Sequence, residues 1–255
     1  MARTVLILGS AADAINARDF DADRFDAIVV INNAWRIRDD WTHLVHAGDF
    51  PVERMPPNRD GRKIITYDTY VSANNAYGGV LYAGGTMAFT AAYWALHALR
   101  PSMMIFCGCD MVYEHKGSTH FYGNGTADPL REDPTLQSLE AKSNRLMALA
   151  AKQGCLNVNA SRLNKSRLTF PRIDMQADGA DLCSYRNQTF SNLQAQADIR
   201  AVEAALTLEA EKEQFIGSGD YWNHKDQIDP DRLRQIDDAW LKAFSKSNEK
   251  IARCS

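Results

Sequence analysis

One polar stretch gathers the side chains best suited to chemistry. Glu114 to Pro129, E-H-K-G-S-T-H-F-Y-G-N-G-T-A-D-P, directly follows Tyr113 and holds His115, His120 and Tyr122. A histidine titrates near neutral pH and can take a proton from an attacking hydroxyl, and a tyrosine can donate one to a departing oxygen. Loops that follow strand ends are where α/β enzymes place such groups, so the cluster says more here than it would on a helix face. A second feature lies just upstream, where Asp110 ends an apolar run and Gly84-Gly85-Thr86 precedes another.

The elements that must position these residues read as loop, helix, strand, loop. Gly84, Gly85 and Thr86 open a helix of small and apolar residues, which Arg100-Pro101 ends because proline lacks the amide hydrogen and restricts its predecessor. Met103 to Cys107 is then a buried strand that stops at Gly108-Cys109-Asp110. Small residues at a helix start let a ligand approach the backbone, and the unpaired amides there favour an anion such as phosphate. An acidic residue just past a strand's carboxyl end, here Asp110, lies on the rim where open α/β sheets bind ligands.

From the start of the chain, Thr4 to Leu8 is a strand that stops at Gly9-Ser10 and leads into a short helix from Ala11 to Ile15, the opening of a Rossmann-like unit. The full G-x-G-x-x-G signature is absent, so no dinucleotide cofactor is indicated. Asp19 to Asp26, D-F-D-A-D-R-F-D, offers aspartate pairs of the kind that hold divalent ions, but it precedes a strand and reads as a solvated loop. Ala27 to Ile31 is the second strand, closing at Asn32 and Asn33, whose amides can contact phosphate or ribose oxygens or can stabilise a turn. Trp41 to Phe50 alternates as a third strand with Asp49 at its end. His43 and His46 within it would face opposite ways, which disfavours a metal pair. Pro51 to Gly79 reads as a surface excursion around a short strand, Lys63 to Tyr67.

Asp133-Pro134-Thr135 marks a helix start, with the helix running to about Gln153, and Cys155 to Val158 is another strand that ends in Asn159-Ala160-Ser161. Beyond it, Arg172 to Asn192 shows little periodicity. Leu193 to Phe215 and Asp231 to Asn248 read as amphipathic helices, the second with Leu233, Ile236, Trp240, Leu241 and Phe244 on one packing stripe. The expected class is α/β, a mostly parallel Rossmann-like sheet flanked by helices. Residues 1–170 form the nucleotide-binding core, and 171–255 are an irregular segment and C-terminal helices packed on or extending it.

Composition narrows the function classes. With 29 basic against 32 acidic residues the net charge is -3, which argues against a nucleic-acid binder. Arg162, Lys165, Arg167 and Arg172 form the best local basic patch, either a solvated loop or an anion contact. Five cysteines without regular spacing, in a chain without a signal peptide, point to the reducing cytoplasm, and Cys107-x-Cys109 reads as structural. No apolar run approaches the roughly 20 residues that span a bilayer. Peripheral attachment at the inner membrane face and homo-oligomer formation are left open.

L-I-L-G-S-A-A-D-A, V-V-I-N-N-A-W, A-G-G-T-M-A and I-F-C-G-C-D-M-V-Y, in that order, resemble the bacterial sialyltransferases of glycosyltransferase family 42 over about Thr4 to Ser161. The resemblance implies a metal-independent inverting transfer of an acidic sugar from a CMP-activated donor to a glycan acceptor, with no cofactor beyond the CMP-sugar substrate. Carried over, Gly9 with Ser10 and Asn32 would contact the donor phosphate. Gly84, Gly85 and Thr86 would hold the nucleotide, Gly108 and Asp110 match the strand-ending G-x-D, and Asn159 with Ser161 match an asparagine-x-serine. Tyr113 and Tyr122 would assist the leaving phosphate. The chain departs from the family where Ser10 to Asp13 replace the last four positions of G-N-G-P-S. It departs again where Asp133 and Pro134 stand in place of the catalytic histidine. The resemblance therefore leaves His120 or Asp133 as the base.

Two alternatives belong to other classes. Archaeal-type hydroxymethylpterin pyrophosphokinases share the G-x-G-P-S-type opening and would require metal-bridged phosphates. A non-catalytic nucleotide-sugar-binding protein would bind cytidine nucleotides without turnover.

Overall fold

The computed structural model describes residues 3–57, 61–112, 120–123, 138–176, 181–211 and 214–244. Six strands, β1 (Thr4–Leu8), β2 (Ala27–Ile31), β3 (His43–Val45), β4 (Lys63–Ile65), β5 (Met103–Cys107) and β6 (Leu156–Asn159), form one sheet in the order β4-β3-β2-β1-β5-β6. Every pairing is parallel, with Leu8 beside Val30 on one side and beside Cys107 on the other. Strands covered on both faces need continuous apolar sequence, and T-V-L-I-L, A-I-V-V-I and M-M-I-F-C supply it. The fold is thus the expected Rossmann-like α/β architecture.

The helices are α1 (Tyr67–Asn75), α2 (Val80–Ala83), α3 (Met87–Ala98), α4 (Leu139–Lys152), α5 (Leu182–Gln196), α6 (Ile199–Glu211) and α7 (Pro230–Ala243). The chain leaves β1 through a 3₁₀ segment, Ala12–Asp19, longer than the helix expected there. Helix α3 is buried almost throughout, because alanine-rich M-A-F-T-A-A-Y-W-A-L-H-A lets it lie close to the sheet. It stops at Ala98, and Arg100 takes a φ of +47° before Pro101.

Several expectations need correction. The third strand is only His43–Val45, and the excursion after Pro51 contains α1, whose Tyr70, Val71, Ala73 and Asn74 are buried. The segment 172–192, aperiodic in sequence, contains most of α5. The single helix expected over Leu193 to Phe215 is two, because α5 ends at Gln196 and Asp198 starts α6 by accepting the Arg200 and Ala201 amides at 3.1 Å. Helix α4 is capped by Ser138 through the Ala141 amide at 3.1 Å, and the expected start near Thr135 lies outside the described residues.

The last two helices share one core with the sheet. Leu233, Ile236, Trp240 and Phe244 are buried, as their stripe requires. Helix α4 meets them with charge as well as apolar surface. Lys142 Nζ lies 2.8 Å from Asp237, and Arg145 grips Glu209 with its Nε at 2.6 Å and an Nη at 2.9 Å. The same guanidinium donates to the Tyr93 hydroxyl at 2.8 Å and to the Tyr77 carbonyl, and Trp240 Nε1 donates to Glu209 at 2.6 Å. Both ion pairs are buried, so each charge depends on its partner for solvation.

Candidate functional site

The strand order reverses between β1 and β5, because the chain runs outward from β1 to β4 and then returns to the other side of β1. In open α/β sheets such a switch point opens a crevice beyond the carboxyl ends of the strands. Here the loops leaving β1 and β5 meet at Gly9 and Gly108. The Gly9 amide donates to the Cys107 carbonyl at 2.8 Å and the Ala11 amide to the Gly108 carbonyl at 3.0 Å. Gly108 has a φ of +68°, and a β-carbon there would overlap Ala14. Gly9 therefore serves the close approach of two loops, and its amide is spent on protein rather than turned toward a phosphate.

The Ser10 carbonyl accepts the Phe121 amide at 3.1 Å, which brings the loop beyond β5 onto the exit of β1. His120 and Gly123 close a tight turn through reciprocal backbone bonds at 3.1 and 3.0 Å, and the imidazole stacks on Tyr122 with ring centroids 5.0 Å apart. His120 is 7% exposed, and burial holds its pKa below the ordinary histidine value. Burial thus favours the neutral ring, whose nitrogen lone pair can accept a proton.

A polar group forms where β5 and β6 end. Asn159 donates to Asp110 Oδ1 at 3.4 Å and to Ser166 Oγ at 3.0 Å, and its own oxygen accepts the Ser161 amide at 2.9 Å. Ser161 donates its hydroxyl to Asp13 at 2.8 Å, and the Arg162 amide reaches the same oxygen at 2.9 Å. Asp110 is fully buried, and burial pushes its carboxyl above the usual range, with the charge of Asp13 acting the same way against hydrogen bonds from Ser166, Ser161 and Asn159. Asp13 and Ser166 were not singled out by their sequence. Asp13 carries a signal only in retrospect, as an acidic residue in the first helical turn after β1.

Gly9, Ser10, Gly108, Asp110, His120, Tyr122, Asn159 and Ser161 accordingly belong to one sheet edge. The other candidates are engaged elsewhere. Asn32 has a φ of +49° and accepts the Ala47 amide at 3.0 Å, tying β2 to β3, and Asn33 is buried beside it. Thr86 caps α3 through the Phe89 amide at 3.4 Å, while Gly84, with a φ of +95°, lets Lys142 pass where a β-carbon would stand 3.0 Å from its Cγ. Gly85 is half-buried at the same bend. Tyr113 and Asp133, like His115, lie outside the described residues.

The remaining polar motifs resolve into structure. Arg162 is engaged with Gln176 and Asp174, Arg167 with Glu140, and Arg172 with the Ser161 carbonyl. His43 bonds Thr42 and packs on Trp94, whereas His46 bonds the Ala47 carbonyl, so the two do not form a metal pair. Cys107 and Cys109 are buried thiols whose pKa burial raises, in keeping with a structural role. Among the described residues no three His, Cys, Asp or Glu side chains converge as a metal set, and no helix is long and apolar enough to cross a membrane. No family model, no curated protein and no solved structure matches the chain.

Proposed function

We propose that this chain is a sialyltransferase-like glycosyltransferase, taking a CMP-activated acidic sugar at the carboxyl edge of β1 and β5 and passing the sugar to a glycan hydroxyl. The observation that supports this reading is His120, a buried imidazole pinned to the exit of the first strand through the Phe121–Ser10 bond. In the step, the His120 ring takes the acceptor's hydroxyl proton as the acceptor oxygen bonds to the anomeric carbon. The bond from that carbon to the phosphate oxygen breaks with inversion, and CMP departs with the electron pair. Tyr122, stacked on His120, would donate its hydroxyl to the departing phosphate.

The test pairs binding with turnover. CMP without magnesium should raise the melting temperature of the purified protein, since a ligand of the folded state stabilises it by mass action. His120→Ala should keep that response and lose transfer by about 10²–10⁴-fold, the usual contribution of a general base. Unchanged turnover in His120→Ala removes the assignment.

One observation favours a second reading. Asp13 and Asp110 place two carboxylates at the same edge, and pyrophosphoryl transfer depends on metal-bridged phosphates. A melting response confined to ATP with magnesium selects it over the glycosyltransferase.

A further inference from the structure

The loops leaving β1, β5 and β6 bring two carboxylates together with few hydrogen-bond donors. Asp110 is fully buried, and its Oδ2 meets no donor among the described residues. Asp13 receives Ser161 and Arg162 on Oδ2, and its buried Oδ1 likewise meets none. Ser161 shares its one hydroxyl proton between Asp13, at 2.8 Å, and Asp110, which otherwise has only the Ser166 hydroxyl and the Asn159 amide at 3.4 Å. An ionised carboxylate presents about four lone-pair positions, so this pair is far from satisfied.

The three arginines of these loops do not fill the gap. The guanidinium of Arg162 turns to Gln176 and Asp174, that of Arg167 to Glu140, and that of Arg172 to the Ser161 carbonyl at 2.6 Å. Two negative charges in a mostly buried niche are costly unless a positive species joins them.

We propose that Asp13 Oδ1 and Asp110 Oδ2 hold a divalent, oxygen-preferring cation of the Mg²⁺ or Mn²⁺ type between these three loops. Such ions are held by one or two carboxylates with water completing the shell, which suits a site of two acids among hydroxyl and amide groups. Zinc is disfavoured, since the sulfur of Cys109 faces the Ile7 and Cys107 carbonyls. Charge balances as well, two negative against two positive.

The experiment uses the full chain stripped with EDTA and no nucleotide, so its result is separate from that of the CMP assay. Adding Mg²⁺ or Mn²⁺ at a hundredfold excess over Kd should raise Tm by about 5–10 °C. Mn²⁺ titration followed by electron paramagnetic resonance should show one bound ion per chain. Asp110→Asn and Asp13→Asn should abolish both signals, and stripped Asp110→Asn should melt at or above the stripped wild type because the like charges are gone. Should the variants not fold, the Mn²⁺ titration of the wild type decides alone. A wild type that binds no Mn²⁺ overturns the proposal.

Discussion

Gly9 and Gly108 meet backbone against backbone at the ends of β1 and β5. A β-carbon on Gly9 would overlap the Gly108 carbonyl oxygen and stand 2.8 Å from Cys109 Sγ. The neighbours are backbone and a buried side chain, which cannot swing away. Gly9→Ala should therefore cost about 3 kcal/mol, the upper end of overpacking in a filled core. Urea denaturation checks this, and a cost near zero would show that the two loops separate freely.

Arg145 should be the most demanding charge in the molecule. Its guanidinium is 2% exposed and rests on both oxygens of Glu209. Glu209→Ala should destabilise by about 3–5 kcal/mol, because it strands a buried cation and deprives Trp240 Nε1 of its acceptor. The midpoint of a denaturant curve reads the change.

The pair of Lys142 and Asp237 offers a contrast between breaking and replacing an ion pair. Lys142→Met leaves Asp237 buried without its cation and should cost about 3 kcal/mol or more. The double variant Lys142→Met with Asp237→Leu should recover most of that loss, since an apolar pair of similar volume removes the charge altogether. A double-mutant cycle on equilibrium unfolding measures the recovery, and strictly additive losses would contradict it.

Acid should weaken the fold through the buried His120 and the half-buried His43. Burial lowers the pKa of both His120 and His43 in the folded chain, with Lys63 adding to the effect at His43. Below the ordinary value of 6.5 the unfolded state binds more protons than the folded one, so stability is full above that pH and declines as pH falls toward the lowered folded values. His120→Gln should flatten the decline, as read from denaturation midpoints across that interval. An unaltered slope would mean that His120 titrates alike in both states.

The sheet was legible because its buried strands are short apolar runs, and each ends at a glycine, asparagine or turn. That same punctuation located Gly9, Gly108, Asp110 and Asn159 on one edge, since a parallel sheet puts every strand's carboxyl end on the same side. Helix α1 escaped notice because Y-D-T-Y-V-S-A-N-N is rich in polar and β-branched residues, and tertiary contacts hold it in place. Helix α5 buries only Leu193, so it has no apolar stripe to read, and the break before α6 hangs on a cap at Asp198. Asp13 gave no warning either. Its partner Ser161 lies far along the chain, and only folding brings the two to 2.8 Å. The same is true of the charges on α4, which look like an ordinary solvated face until α6 and α7 cover them.

The strand order carries a consequence for the time course of folding. Strands β1 to β4 follow one another along the chain and can pair as they form, but β1 must wait for Met103 to find Thr4 before its other edge is closed. Until then an apolar central strand presents unpaired amides and carbonyls along one side, a template for a second chain as much as for its own β5. Long-range parallel pairing of this sort closes slowly and leaves the intermediate open to aggregation. Yield on refolding should accordingly fall with protein concentration more steeply than the stability of the finished sheet would suggest.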